Sequence, residues 1–148
     1  MVEIERQEYM DMYNVIGAAM RVHQLLGRGL EEPIYQEALG IEFEKRGIKA
    51  ISQHPIHCYY DDVKMQKFYL ADFYLDGLIV ELKSTERLCS DHRAQLFNYM
   101  RLTHTNKGLL INFGERSLCS ERYLYNKESD DFILLTENNY KNYIRGHN

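Results

Sequence analysis

The first third of the chain spaces its apolar residues three and four positions apart. From about residue 5 to residue 26 this spacing predicts an amphipathic helix whose buried stripe is Tyr9, Met12, Ile16, Ala19, Met20, His23 and Leu26. Gly27 and Gly29 are expected to end it, because glycine readily adopts the left-handed conformation that closes many helices. A second predicted helix begins near Pro33 and ends near Gly47, with an inward face of Tyr35, Ala38, Leu39 and Phe43.

The pattern then changes to runs typical of strands. Residues 48–60, 64–75 and 78–83 are joined by short polar turns at Asp61-Asp62 and Asp76-Gly77, which predicts a three-stranded antiparallel meander. Pro55 marks the first strand as broken or as a sheet edge, because proline donates no ladder hydrogen bond.

A helix, a buried strand and weaker elements complete the predicted order. Ser90 is expected to cap a helix over residues 91–103, with Leu96, Phe97, Tyr99 and Met100 on its apolar side. Residues 107–113 are almost continuously apolar, as expected for a central strand. Residues 118–125 and 132–135 are predicted edge strands, and residues 138–145 a short terminal helix. The prediction is one α/β domain over residues 1–148 with an αβββαβ core, a mixed sheet flanked by helices.

The second turn fixes the register of its hairpin. A two-residue Asp-Gly loop favours a type I′ turn, which would pair Phe73 with Val80 and then Asp72 with Glu81. The Asp72–Glu81 pair would be a non-hydrogen-bonded one, where side chains approach most closely. Lys83 would point to the same face as Glu81, because side chains alternate along a strand.

Two carboxylates directly opposite each other allow two interpretations. They repel, and a divalent cation between them would remove the conflict while using the oxygen ligands that Mg²⁺ prefers. The alternative is that Asp72 and Glu81 are edge charges that point into water. The hairpin alone does not choose between them.

Composition limits the kinds of partner that the protein is expected to bind and the cellular compartment in which it is expected to work. The 148 residues carry 18 Lys and Arg against 22 Asp and Glu, a net charge of −4, which argues against a broad basic surface that coats nucleic acid but allows a local groove. Three widely spaced cysteines, Cys58, Cys89 and Cys119, fit reduced thiols in a cytoplasmic protein and not zinc. No stretch has the length and apolarity of a membrane span or of a signal peptide.

Several motifs in order resemble the PD-(D/E)XK nuclease superfamily and, within it, the small bacterial GxxExxY proteins. Asp72 followed by Glu81-Leu82-Lys83, and then by a helix bearing Gln95, is similar to the superfamily pattern. The GxxExxY motif corresponds to GLEEPIY at residues 29–35. The similarity covers roughly residues 9–125 and includes further runs: VH at 22–23, LG at 26–27, EKRGI at 44–48, HRAQLFNY at 92–99 and GLLINFG at 108–114.

The chain departs from the expected pattern at three positions. Leu70 stands where an arginine is expected, which puts one substrate contact in question. Arg28 and Pro33 replace a more usual proline and serine. Residues from 126 onward have no assigned role in the resemblance.

The resemblance implies a set of roles around one metal site. Asp72, Glu81 and the backbone carbonyl of Leu82 are expected to bind Mg²⁺ or Mn²⁺, with Glu32 reaching it through a bound water. Lys83 is expected to orient or deprotonate the attacking water, or to stabilise the pentacovalent phosphate. Gln95 is expected at the catalytic site. The implied substrate-binding residues are Gln95, Tyr99 and Tyr35.

Three functional hypotheses follow, together with ordinary explanations for single residues. The first is a nuclease that cleaves DNA with a metal-activated water. The second is a nuclease-fold module that binds nucleic acid or a protein partner with little or no cleavage. The third is a homodimer that cuts both strands. Taken alone, Glu32 could simply be a carboxylate that the helix dipole favours at the N-terminus of the second helix. His23 and His92 are expected to have structural roles.

Overall fold

The computed structural model describes residues 2–146 and has helices on both faces of a six-stranded sheet. The elements, in chain order, are α1 Arg6–Leu26, α2 Glu32–Arg46, β1 Ile51–Tyr60, β2 Val63–Leu75, β3 Leu78–Lys83, α3 Ser90–Thr103, β4 Lys107–Asn112, β5 Cys119–Asn126, β6 Asp131–Leu135 and a 3₁₀-helix Tyr140–Tyr143. The predicted α/β class and mixed sheet are confirmed, and the fold is consistent with a restriction-endonuclease-like core.

The strands lie in the sheet in their sequence order. Four of the neighbouring pairs are antiparallel, and β3 with β4 is the parallel pair, in register from Leu78 opposite Lys107 to Lys83 opposite Asn112. A parallel pair needs a crossover connection, and α3 supplies it. All six β4 residues are buried, so the predicted central strand is confirmed.

Each face of the sheet has its own core. Helices α1 and α2 cover one face, with a core that includes Tyr35, Phe43, Phe73, Leu82 and Phe113. Helix α3 covers the other, with a core that includes Ile56, Ala71, Ile79, Leu96, Tyr99 and Leu110. Since Ile79 is in the α3-side core, alternation places Glu81 and Lys83 on that face as well.

The predicted hairpin forms, but its ladder ends one pair early. Asp76 and Gly77 have φ angles of 34° and 84°, as a two-residue turn with positive φ at both positions requires. The pairing runs from Leu75–Leu78 to Phe73–Val80 and stops there, so the predicted Asp72–Glu81 ladder pair is wrong.

The cause is a local irregularity in β2 at Asp72. Ala71 belongs to the core beneath α3 and Phe73 to the core beneath α1 and α2, although residues two apart in a regular strand share a face. On the neighbouring strand, Gln53 has a φ of 53°. The regular alternation of side chains along β2 is thus interrupted at Asp72.

Several element-level expectations need correction. In α1 the buried residues are Tyr9, Met12, Val15, Ala18, Ala19 and Val22, whereas the predicted Met20 and Leu26 are 49% and 39% exposed. Which residues of α1 are buried depends on how the helix is oriented against the sheet, and the spacing of apolar residues alone does not determine that orientation. The predicted terminal helix is a single 3₁₀ turn. The first strand begins at Ile51, and Pro55 lies inside it, tolerated because β1 is an edge strand.

The outer part of the β1–β2 hairpin extends beyond the two cores. Every residue from 57 to 70 is exposed except the half-buried Cys58. We call residues 57–70 the arm. It carries Tyr59, Tyr60, Val63, Met65, Phe68, Tyr69 and Leu70 as large exposed apolar side chains.

No helix within residues 2–146 has the length and apolar character that crossing a membrane would require.

Candidate active site

Asp72 and Glu81 lie where β2 and β3 separate. The backbone N–H of Asp72 donates to Glu81 Oε1 at 3.0 Å, and the N–H of Leu82 donates to Asp72 Oδ2 at 2.8 Å. The two carboxylates therefore replace ladder hydrogen bonds that the separated strands no longer make. Each acid is held in place by the backbone of the opposite strand.

Burial and mutual repulsion disfavour the charged forms of this pair. Glu81 is only 4% exposed, and its burial, together with the charge of Asp72, holds its pKa well above the usual range for a carboxyl group. Burial also raises the pKa of Asp72, an effect that the Leu82 N–H opposes and the charge of Glu32 reinforces. Both carboxyl groups therefore hold a proton more tightly than an exposed carboxyl does, and the charge of Lys83 offsets this effect only in part.

A line of hydrogen bonds links Lys83 to α3. Lys83 Nζ donates to Gln95 Oε1 at 2.7 Å, and Gln95 Nε2 donates to the Tyr99 hydroxyl at 3.1 Å. Gln95 and Tyr99 are four residues apart and so lie on one side of the helix. Burial and the charge of Glu81 raise the pKa of Tyr99, which keeps the hydroxyl protonated.

A paired charge fixes α3 against β5. Arg93 donates to both carboxylate oxygens of Glu121, each at 2.8 Å. This contact lowers the pKa of Glu121, whose carboxylate also accepts from the Tyr123 hydroxyl. Because Arg93 lies two residues before Gln95, the contact sets the position of the helix turn that meets Lys83.

Glu32 approaches Asp72 from α2, which covers the face of the sheet opposite to α3. The start of α2 and the loop before it line a cleft of about 620 Å³ that contains Glu32, Gln36, Gln53, Asp72 and Ser84. The charge of Glu32 contributes to the raised pKa of Asp72, so the two carboxylates interact. The second wall of the site therefore comes from α2.

Tyr35 holds the loop that precedes this cleft. Its hydroxyl donates to the Gly27 carbonyl at 2.6 Å and accepts from the Leu30 N–H at 3.1 Å. The ring is fully buried and stacks on Phe113 with centroids 4.4 Å apart. The structure thus places Tyr35 in the core and not on the cleft surface where the predicted substrate contact would be.

The donor set fits a divalent cation. Within residues 2–146 no salt bridge reaches Asp72 or Glu81, and the half-buried Asp72 lies beside the buried Glu81. Carboxylate oxygens are hard ligands suited to Mg²⁺. The described part of the chain has no group of three or more His, Cys, Asp and Glu residues close enough to hold a metal ion.

A second concave surface lies between α3 and the arm. It has a volume of about 600 Å³ and is lined by residues that include Tyr69, Ala94, Gln95, Asn98, Tyr99 and Leu102. We call it the α3 groove. It meets the line of hydrogen bonds at Gln95 and Tyr99, so it is continuous with the site.

Two residues of the site were missed by the sequence reasoning. Gln36, one turn into α2, lines the cleft, and its amide donates to Ser52 Oγ at 2.9 Å. Tyr69 contacts Tyr99 with ring centroids 5.4 Å apart. Gln36 lies four residues after Glu32, a helical spacing that could have indicated it. No local pattern indicates Tyr69.

The remaining candidate residues have structural contacts. His23 Nε2 hydrogen-bonds the Glu115 carbonyl at 2.9 Å, and His92 Nδ1 accepts from the Cys89 N–H at 3.1 Å. The three cysteines are free, as predicted.

The family model of the PD-(D/E)XK nuclease superfamily matches residues 10–123. The chain therefore belongs to the PD-(D/E)XK nuclease superfamily. No curated protein and no solved structure gave a significant match. Membership indicates a nuclease-type phosphodiesterase whose substrate is nucleic acid, and such nucleases generally use divalent metals.

Proposed function

We propose that this protein is a metal-dependent nuclease that hydrolyses phosphodiester bonds, in DNA, with a metal-activated water. The observation that carries the proposal is the close pair formed by the half-buried Asp72 and the buried Glu81, which makes no salt bridge within the described residues and lies beside Lys83. Two buried like charges cost stability unless something neutralises them. A divalent cation is the neutralising group that also serves this chemistry.

Asp72, Glu81 and the Leu82 carbonyl are the proposed ligands of Mg²⁺ or Mn²⁺. The Leu82 N–H faces Asp72, and in a strand the carbonyl of a residue points to the same edge as its N–H. Glu32 is proposed to contribute through a water. When bound, the cation would lower the pKa of a coordinated water and balance charge on the phosphate.

Lys83 supplies the positive charge of the proposed mechanism. Gln95 Oε1 accepts from its ammonium and so restricts where the side chain can point, while the Tyr99 hydroxyl fixes the orientation of the Gln95 amide. From there Lys83 can orient the attacking water or stabilise the phosphate oxygens that gain charge. Gln95 acts through Lys83 and is a positioning residue.

Cleavage of plasmid and single-stranded DNA with Mg²⁺ or Mn²⁺ tests the proposal. Lys83→Ala should cut about 10²–10⁴-fold more slowly than the wild type, the usual contribution of a positioned acid or base. Lys127→Ala is the matched control, because Lys127 is exposed in the turn between β5 and β6. Equal cutting by all three proteins, or none in any condition, contradicts the proposal.

We also propose that the chain belongs to the GxxExxY group of the superfamily. Each named position of the motif has a physical role in this chain: Gly29 has a φ of 90°, Glu32 lines the cleft, and Tyr35 ties the intervening loop. The three positions build one wall of the proposed metal site.

A binding module with little cleavage is the second candidate. It is favoured by Leu70, which is 44% exposed two residues before Asp72, where the resemblance leads one to expect an arginine. DNA binding that persists in Asp72→Asn and needs no metal would support this candidate over the nuclease.

A further inference from the structure

The α3 groove has the features of a site for an unpaired nucleotide. One wall is the exposed Tyr69 ring on the arm, and the other is the outer side of α3 with Asn98 and Leu102. Its volume of about 600 Å³ is in the range of sites that enclose small ligands. A base enters such a space only when it is not stacked inside a duplex.

Aromatic and cationic groups coincide on the arm. Lys67 Nζ lies 6.0 Å from the centroid of the Tyr69 ring, and Tyr69 is 41% exposed. Aromatic rings that stack on bases, next to cations that meet phosphates, are the combination that binds single strands with little sequence preference.

The groove leads directly to the proposed catalytic residues. Tyr69 packs on Tyr99, whose hydroxyl accepts from Gln95, and Gln95 in turn holds Lys83. A base on Tyr69 would therefore belong to a nucleotide close to the bond that is cut.

The polar groups of the groove allow further contacts with a base. Asn98 is exposed, and within residues 2–146 its side chain makes one hydrogen bond, in which its oxygen accepts from Arg101 at 3.2 Å. Its amide nitrogen can therefore donate to a base edge. The net charge of −4 disfavours a wide phosphate-binding surface and fits a few close contacts instead.

We propose that the α3 groove binds single-stranded nucleic acid, with one base stacked on Tyr69 and a neighbouring phosphate on Lys67. This proposal rests on the proposed nuclease function and specifies its substrate as an unpaired strand or a splayed end. It assigns Tyr69, Lys67 and Asn98 to substrate binding.

Fluorescence anisotropy with labelled oligothymidylate and oligouridylate of about twelve nucleotides tests the proposal. Binding is measured in a Glu81→Gln background, which removes a proposed cation ligand and leaves the groove residues unchanged. Tyr69→Ala should weaken binding about 10-fold, whereas Tyr69→Phe should keep it within about twofold. A duplex of the same length should bind at least about 10-fold more weakly than the better single strand.

Matched controls come from the same arm. Tyr60→Ala removes a more exposed aromatic at the hairpin tip, 74% exposed, and should change the affinity less than twofold. Lys67→Ala should make the slope of log K against log salt concentration shallower by about 0.7, which is the contribution of one phosphate contact on a single strand. Lys64→Ala is the matched lysine control, because Lys64 does not line the α3 groove and pairs with Tyr59 beyond the register shift in the arm, and it should leave the slope unchanged.

Three results would overturn the proposal: Tyr69→Ala binding like the wild type, Tyr60→Ala losing as much as Tyr69→Ala, or duplex binding as tightly as both single strands. Thermal melting checks that each variant folds, and the exposed Lys67 provides a second variant if Tyr69→Ala does not. Cleavage by the wild type is measured separately. If the wild type cleaves DNA but Tyr69→Ala keeps its affinity for the oligonucleotides, the groove proposal is wrong and the nuclease proposal stands. If Tyr69→Ala loses affinity but the wild type does not cleave, the nuclease proposal is wrong and the groove proposal stands.

Discussion

At the scale of single residues, Asp72 and Glu81 carry two roles that compete in the absence of a cation. Each carboxylate accepts a backbone N–H at the point where the strands separate, which stabilises the fold. Each also repels the other in a buried place, which destabilises it. The balance between these effects is measurable.

Glu81→Gln should stabilise the metal-free protein at pH 8 and abolish its response to Mg²⁺. The amide oxygen can still accept the Asp72 N–H, while the buried charge is removed. For a chain of this length, a gain of 1 kcal/mol raises Tm by about 2–4 °C. Thermal melts with EDTA and with Mg²⁺ give both quantities. Glu128→Gln, at an exposed turn, is the control and should change neither.

The pH dependence of this effect has a definite sign. A carboxyl whose pKa is higher in the folded state binds its proton more tightly when folded. Metal-free wild type should therefore lose stability as pH rises from the ordinary value of 4.5 to the raised pKa of Glu81, and Glu81→Gln should lack that loss. A parallel pH profile for the two proteins would contradict the assignment.

Tyr35→Phe should cost about 1–2 kcal/mol of unfolding free energy, although the ring stays in the core. The change removes the acceptor for the Leu30 N–H and the donor for the Gly27 carbonyl. Urea denaturation measures the loss. Tyr13→Phe, on a 57% exposed residue of α1, should cost nothing measurable.

The positions of single residues were predictable where they depend on local spacing. The turn and the alternation predicted that Asp72, Glu81 and Lys83 lie near one another, although the ladder pair of Asp72 with Glu81 was wrong, and the four-residue spacing predicted that Gln95 and Tyr99 share a face of α3. Tyr69 was not predictable, because the break in alternation at Asp72 and the docking of the arm on α3 are non-local. The burial of Tyr35 was expected from the helix stripe, and its motif position suggested a substrate contact that the geometry does not provide.

At the scale of elements, the loop after β3 is clamped to the end of β4. Asn112 is fully buried; its amide oxygen accepts from the Thr85 N–H at 3.0 Å, and its amide nitrogen donates to the Thr85 carbonyl at 2.9 Å. Gly114 packs against the same backbone. These contacts fix the chain directly after Lys83.

Gly114→Ala should destabilise the protein by about 3 kcal/mol. A Cβ at this position would overlap with backbone atoms of Thr85, which can move only by shifting the loop. The displaced loop should also slow any cleavage, because it begins one residue after Lys83. Urea denaturation and the plasmid assay measure the two effects.

Gly17→Ala is the matched control for that substitution. Gly17 lies within α1, where a Cβ would meet Arg46 Nη1 at an ordinary 3.6 Å. Alanine is the better helix former, so this variant should gain about 0.5–1 kcal/mol. If both glycine variants lost similar stability, close packing at Thr85 would not be the cause.

The order of elements was predictable because turn residues and periodicity are local signals. The stripe of α1 was only partly predicted, because Met20 and Leu26 satisfy the helical spacing yet lie outside the contact with the sheet. The terminal 3₁₀ turn was called a helix from a segment too short for periodicity to decide.

At the scale of the whole molecule, stability should be distributed very unevenly. The β3 and β4 strands are buried between two layers of helices, whereas the arm is exposed along its length. In hydrogen exchange, amides of β4 should exchange slowest, and those at residues 59–66 should exchange many times faster. Equal protection of the arm and β4 would show that the arm is covered by a partner, such as a second copy of the chain.

The parallel pairing of β3 with β4 has a consequence for the order of folding. The β2–β3 hairpin closes through a two-residue turn, whereas β3 meets β4 only after the whole of α3 has been placed. Local closures form quickly and distant pairings slowly. A kinetic intermediate that holds the hairpin alone would have both acids but neither Gln95 nor the buried environment that sets their pKa values. In refolding, sensitivity to Mg²⁺ should therefore arise in the final phase and report completion of the native sheet.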